Sequence, residues 1–105
     1  MNYIIEEQKP LIIEEIPLKK SALVLRAINH RLRQQILKLI HTKGRMTVTE
    51  IYAQLKLEQS VASQHLAILR KAGYVETLRD GKFIYYSVNY QKIGHVQEIV
   101  QILLK

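Results

Sequence analysis

The segment SVASQHLAILRKAG, Ser60 to Gly73, carries two patterns at once. Ala62, Leu66, Leu69 and Gly73 recur at three- and four-residue spacing, the inward stripe of an amphipathic helix, with Ile68 at its margin. Ser60, Ser63, Gln64, Ala67 and Lys71 fall outside that stripe, so one end of the helix turns short hydrogen-bonding side chains away from the core. The preceding segment, Thr47 to Lys56, places Val48, Ile51, Tyr52 and Leu55 at i, i+3, i+4 and i+7, with Thr47 positioned as its cap. Only a few residues around Leu57 to Gln59 separate the two. Helices joined so tightly make a helix-turn-helix, in which the start of the second helix enters the DNA major groove. Serine donates or accepts at several base edges, glutamine pairs bidentately with adenine, and a helix N-terminus favours phosphate. Gln59, Ser60, Ser63, Gln64 and His65 are therefore the candidate base-reading residues, although His65 reads better as a partly buried residue satisfied inside the domain.

Outward from this pair, the pattern changes on both sides. After Gly73, the runs Tyr74 to Leu78 and Phe83 to Val88 are rich in aromatic and β-branched residues and flank Asp80-Gly81, which predicts a β-hairpin. Its tip carries Arg79 and Lys82, placed to follow a minor groove or a phosphate track, whereas Tyr85 and Tyr86 are expected to pack on the domain. Arg45, Thr47, Thr49 and Lys71 complete the candidate backbone contacts. Upstream, residues 21 to 28 form a short apolar helix, and Asn29 is expected to cap a second one running to Thr42, with Leu32, Ile36, Leu39 and Ile40 inward and Gly44 as its stop. The last segment, Tyr90 to Lys105, has Ile93, Val96, Val100 and Leu103 on one stripe, widened by Ile99, Ile102 and Leu104 beyond what one small core covers. A second copy of the chain is the economical cover, with Leu23, Ile93, Val96, Val100 and Leu103 at the interface and two reading helices facing a palindrome.

Charge agrees with a polyanionic partner. The chain has 105 residues and a net charge of +7, but Glu6, Glu7, Glu14 and Glu15 face a single base, Lys9, in the first eighteen residues. The remaining body is therefore strongly basic, which suits phosphate contact through counterion release. The acidic arm, residues 1–20, contains Pro10 and Pro17 and is expected to run extended; residues 21–105 form the folded unit. There is no cysteine, which removes disulfides, thiolate metal sites and thiol redox switching. No apolar run reaches about 18 residues and no signal-like start is seen, so the chain reads as cytoplasmic, without a membrane partner. Asp80 is the only aspartate and lies at a turn, and there is no glycine-rich phosphate loop, so an enzyme is poorly supported.

Taken in order, AINHRLRQQILKLI, TVTEIYAQL and SVASQHLAILRKAGYVETLRDGKFIYYSV resemble the ArsR/SmtB family over roughly residues 21 to 105. The resemblance implies a mainly helical α+β fold: a winged helix-turn-helix with a two-stranded wing and terminal dimerisation helices. It also implies a homodimeric repressor that binds double-stranded DNA and, in many members, releases it on binding a metal. The family's cysteine sensor is missing from EIYAQL, and the ligand spacing of its other metal site is not reproduced in the last helix. His95 and Glu98 supply two donors per chain where Zn²⁺ takes three or four protein ligands. Two pairs would meet only if the last helices of a dimer crossed close to Gly94 and His95, whereas His95, two positions beyond Ile93, is expected at the edge of the seam in water. No metal site and no cofactor are therefore expected, and neither the operator nor the inducer is legible. A second class stays open, a winged helix that has lost DNA binding and engages another protein.

Overall fold

A computed structural model describes residues 9–105; Glu6 and Glu7 of the acidic arm lie outside them. Five helices and one hairpin follow in the order α1 Glu15–Ile28, α2 Arg31–Lys43, α3 Val48–Leu55, α4 Gln59–Lys71, β1 Val75–Asp80, β2 Phe83–Val88 and α5 Tyr90–Leu103.

Two expectations about the N-terminal third are corrected. The arm is helical from Glu15 onward, and α1 runs unbroken across residues 20 and 21. Pro17 is the third helical residue, where a backbone N–H has no intrahelical acceptor to lose, and Glu15 in the first turn complements the helix dipole. The cap of α2 is His30, not Asn29: its ring Nδ1 accepts from the Leu32 N–H at 3.2 Å. Asn29 instead ends α1, its N–H bonding the Leu25 carbonyl.

Elsewhere the local signals hold, except that Asp80 remains in β1 and the hairpin turns one residue later than Asp80-Gly81. Thr47 caps α3 in a reciprocal box, its hydroxyl accepting from the Glu50 N–H while the Glu50 carboxylate accepts from the Thr47 N–H at 3.0 Å. Hydrogen bonds from the Thr47 backbone and hydroxyl hold the Glu50 carboxyl below its ordinary pKa. Thr47→Ala is expected to destabilise the fold by about 0.5–2 kcal/mol, read from urea denaturation. The turn into α4 closes with Leu57 N–H on the Tyr52 carbonyl at 2.9 Å and Lys56 in the left-handed region at φ 55, the conformation that reverses the chain within three residues.

Gly73 takes φ 88 between α4 and β1, a value costly for any side chain, and lets Tyr74 N–H return to the Leu69 carbonyl. The hairpin pairs Val75 with Val88 through Asp80 with Phe83, leaving Gly81-Lys82 as a two-residue loop. With φ 64 at Gly81 and none positive at Lys82, glycine occupies the first central position of the turn. Met46 adds a bridge to Tyr86, with reciprocal backbone bonds of 3.0 and 2.7 Å that fasten the wing's base to the α2–α3 loop. Ile36 and Ile40 of α2, Ile51 of α3 and Leu66 and Leu69 of α4 meet Tyr74 in a core closed to solvent. Tyr74 also donates its hydroxyl to the Val24 carbonyl at 2.8 Å, pinning α1 to that core.

Candidate nucleic-acid interface

Burial along α4 divides its two faces as the spacing predicts. Ala62, Leu66 and Leu69 are fully buried, whereas Gln59, Ser60, Ser63 and Gln64 are exposed. Ser60 is the second residue of α4 and Glu58 holds the cap position without a side-chain bond, so the serine hydroxyl is not consumed as a cap. Lys71 is exposed at the opposite end, about 18 Å along the axis from Gln59, and does not join the N-terminal cluster.

His65 departs from the base-reading set. It is half-buried, its Nδ1 lies 3.2 Å from Arg33 Nη1, and its ring centroid is 4.9 Å from that of His30. Arginine carries no acceptor, so Nδ1 must be the accepting atom and the imidazole is neutral with its proton on Nε2. Burial, then His30 and Arg33, lower its pKa, because each disfavours a second cation there. As pH falls below the unfolded-state value of about 6.5, the unfolded chain takes up this proton first, and stability declines until the lowered folded value is passed. Denaturation followed from about pH 8 to about pH 5 is expected to show a loss that is smaller in His65→Asn, whose side chain does not titrate.

Arg33 was missed by the sequence reading, although its signal is there: with Ile36, Leu37 and Ile40 it falls at i, i+3, i+4 and i+7 on the buried stripe of α2. A cation on such a stripe requires acceptors from elsewhere in the fold.

On the wing, Arg45 donates from Nη2 to Asp80 Oδ2 at 3.2 Å and lies 4.0 Å from the centroid of the Tyr85 ring. Both partners of this ion pair are exposed, so it adds little stability but holds the loop before α3 against the wing. Arg79 Nε donates to the Gly81 carbonyl at 3.3 Å, and the Lys82 ammonium stands 5.4 Å from the Phe83 ring, both at the exposed tip. Thr49 is exposed on the first turn of α3, while the Thr47 hydroxyl is committed to its cap. Tyr86 packs on the core, as expected.

The terminal helices leave an apolar face. Leu23 of α1 is 60% exposed, and Ile102 and Leu103 of α5 are 66% and 65% exposed. Val96 is a correction: it is buried within the single chain, because α5 lies on the protomer's own core as far as Val100 and only the residues after it extend past the core. Ile93 and Val100 lie at the margin, partly buried against that core. Beside them, a groove of about 1510 Å³ runs between α5, α2 and the end of α1, floored by Leu25, Ile28 and Leu37. His95 and Glu98 are exposed on α5, and among the described residues no three His, Asp or Glu side chains gather as a metal site.

The sequence pattern describing bacterial regulatory proteins of the arsR family matches residues 30–77, the span from the cap of α2 into β1. The biofilm growth-associated repressor of Agrobacterium fabrum is 34% identical over 98 residues, covering 87% of this chain and 83% of that protein. The chain belongs to the ArsR family. Its fold matches the crystal structure of the transcriptional repressor PagR of Bacillus anthracis with a TM-score of 0.65 at 32% identity, over 83% of this chain and 99% of that one. It also matches a homodimeric winged helix-turn-helix DNA-binding domain from Mycobacterium bovis, determined in solution, with a TM-score of 0.67 at 28% identity, over 86% and 82% of the two chains. This ArsR-family chain is thus a winged helix-turn-helix transcription regulator, in a family of DNA-binding proteins rather than enzymes.

Proposed function

We propose that the protein is a homodimeric repressor that occupies a palindromic operator, reading bases with Gln59, Ser60, Ser63 and Gln64 of α4. The carrying observation is that these polar side chains stand exposed at the start of α4 while, among the described residues, no side-chain hydrogen bond employs them. Arg79 and Lys82 at the wing tip, with Arg45 and Thr49, are assigned to the phosphate backbone. Leu23, Ile102 and Leu103 supply the dimer seam, supported by their exposure in the single chain and by the homodimeric relative. Repression is the sign suggested by the relatives named as repressors. His95 and Glu98 provide two donors per chain, and two such pairs would complete a four-donor site only if the α5 helices of a dimer crossed close to Gly94 and His95. With the seam assigned to Leu23, Ile102 and Leu103, the switch is assigned to a signal other than a transition metal.

Selection of bound fragments from a random duplex library tests this reading, and a palindromic consensus is the expected product. Two substitutions then separate base reading from backbone contact. Gln64→Ala should reduce preference at one symmetric pair of positions by about 1–3 kcal/mol per contact, whereas Lys82→Ala should weaken all duplexes alike and reduce the salt slope by about one per contact. Equal loss on selected and scrambled DNA for Gln64→Ala would remove it from the base readers. A protein with no salt-dependent duplex binding would instead favour the protein-interaction class.

A further inference from the structure

Arg33 is only 7% exposed, and among the described residues none of its three acceptors is a carboxylate. Its Nε donates to the Ala27 carbonyl, its Nη2 to the Arg26 carbonyl at 3.2 Å, and its Nη1 to His65 Nδ1 at 3.2 Å. The first two are carbonyls from the last turn of α1, which have no intrahelical partner. The other two of that turn are met locally, Leu25 by the Asn29 N–H and Ile28 by the His30 N–H and the Gln34 amide. One guanidinium therefore closes the C-terminal end of α1, where the helix dipole favours a cation, and with its remaining arm holds the middle of α4.

We propose that Arg33 and His65 form a positioning pair that fixes the reading helix α4 to the dimerisation helix α1, so that the spacing and tilt of two reading helices in a dimer follow the seam. The inference rests on the DNA-reading role assigned to α4. Its geometry is specific: α1 carries Leu23 on the uncovered face, Tyr74 pins α1 at Val24, and Arg33 supplies the side-chain link from its last turn to α4. A planar fork with fixed N–H directions transmits orientation as well as contact, which a flexible ammonium does not. Neither residue needs to touch DNA for this effect.

The test compares a palindromic duplex selected from a random library with its scrambled counterpart, using the full chain and variants of both residues. His65→Leu keeps bulk but removes the acceptor, and it should lose about tenfold in affinity for the selected duplex, with scrambled binding unchanged and the dimer intact. His65→Asn, which returns an acceptor near the Nδ1 position, should stay within about threefold of wild type. Arg33→Met should resemble His65→Leu, and the double variant should be no worse than the weaker single one, the mark of residues acting as a unit. Losses that multiply in the double variant, or an Asn as damaging as Leu, mean that His65 acts on DNA independently of Arg33, and the pair is refuted. A His65→Leu protein with wild-type discrimination refutes it as well. If Arg33→Met fails to fold, the Leu and Asn variants decide alone, because His65 is half-buried and its replacement leaves both α1 carbonyls with Arg33. A wild-type protein that prefers no duplex overturns the operator reading, and this inference with it.

Discussion

A double variant, Ile102→Glu with Leu103→Glu, is expected to sediment as a monomer and to bind the selected palindrome at least about 100-fold more weakly, the avidity lost when two half-sites are no longer engaged together. Both side chains are two-thirds exposed in the single chain, so the protomer's core is not asked to absorb the new charges. In a two-fold dimer the same four glutamates would face one another across an apolar seam, where ionised carboxylates without partners are strongly disfavoured. The melting temperature of the variant should also stop rising with protein concentration, since mass action no longer favours the folded dimer. Val96→Glu is the instructive contrast: its side chain lies inside the protomer, and the expected result is an unfolded chain rather than a soluble monomer. Analytical ultracentrifugation with fluorescence anisotropy on the same samples separates the outcomes. A double variant that stays dimeric would move the seam away from the end of α5.

Leu66→Ala is expected to cost about 2–5 kcal/mol, with a fall in melting temperature of roughly 10 °C or more at fixed protomer concentration. Leu66 is fully buried on the inward face of α4, next to the Ile36 and Ile40 core of α2 and the Ile51 contact of α3. Truncation removes three carbons from a site where rigid helices on several sides limit collapse, so most of the cavity persists. Ser63→Ala, one turn earlier on the exposed face, should leave stability within about 0.5 kcal/mol while altering duplex preference. The helix thus divides by face into residues that hold the fold and residues available to a partner. Differential scanning calorimetry of the two variants measures that division.

The sequence by itself determined what short-range chemistry decides. The Thr47 cap, the Gly44 stop, the turn at Gly81 and the inward stripe of α4 from Ala62 to Leu69 each depend on residues within about one or two turns, and all are legible locally. The exposed set from Gln59 to Gln64 was legible for the same reason, as the complement of that stripe. Other positions were decided only when distant segments met. Helical spacing marks Arg33 as inward but does not disclose its acceptors, which come from α1 six and seven residues before it and from His65 thirty-two residues after it. His65 lies on the edge between the two faces of α4, where periodicity is ambiguous, and the guanidinium turns it inward. Periodicity also placed Val96 and Leu103 on one stripe, yet α5 lies on the core only as far as Val100, so the first is buried and the second is left exposed. Helical period fixes which direction a side chain faces; what stands in that direction depends on where the helix begins and ends against its neighbours, a property of packing between segments far apart in the chain.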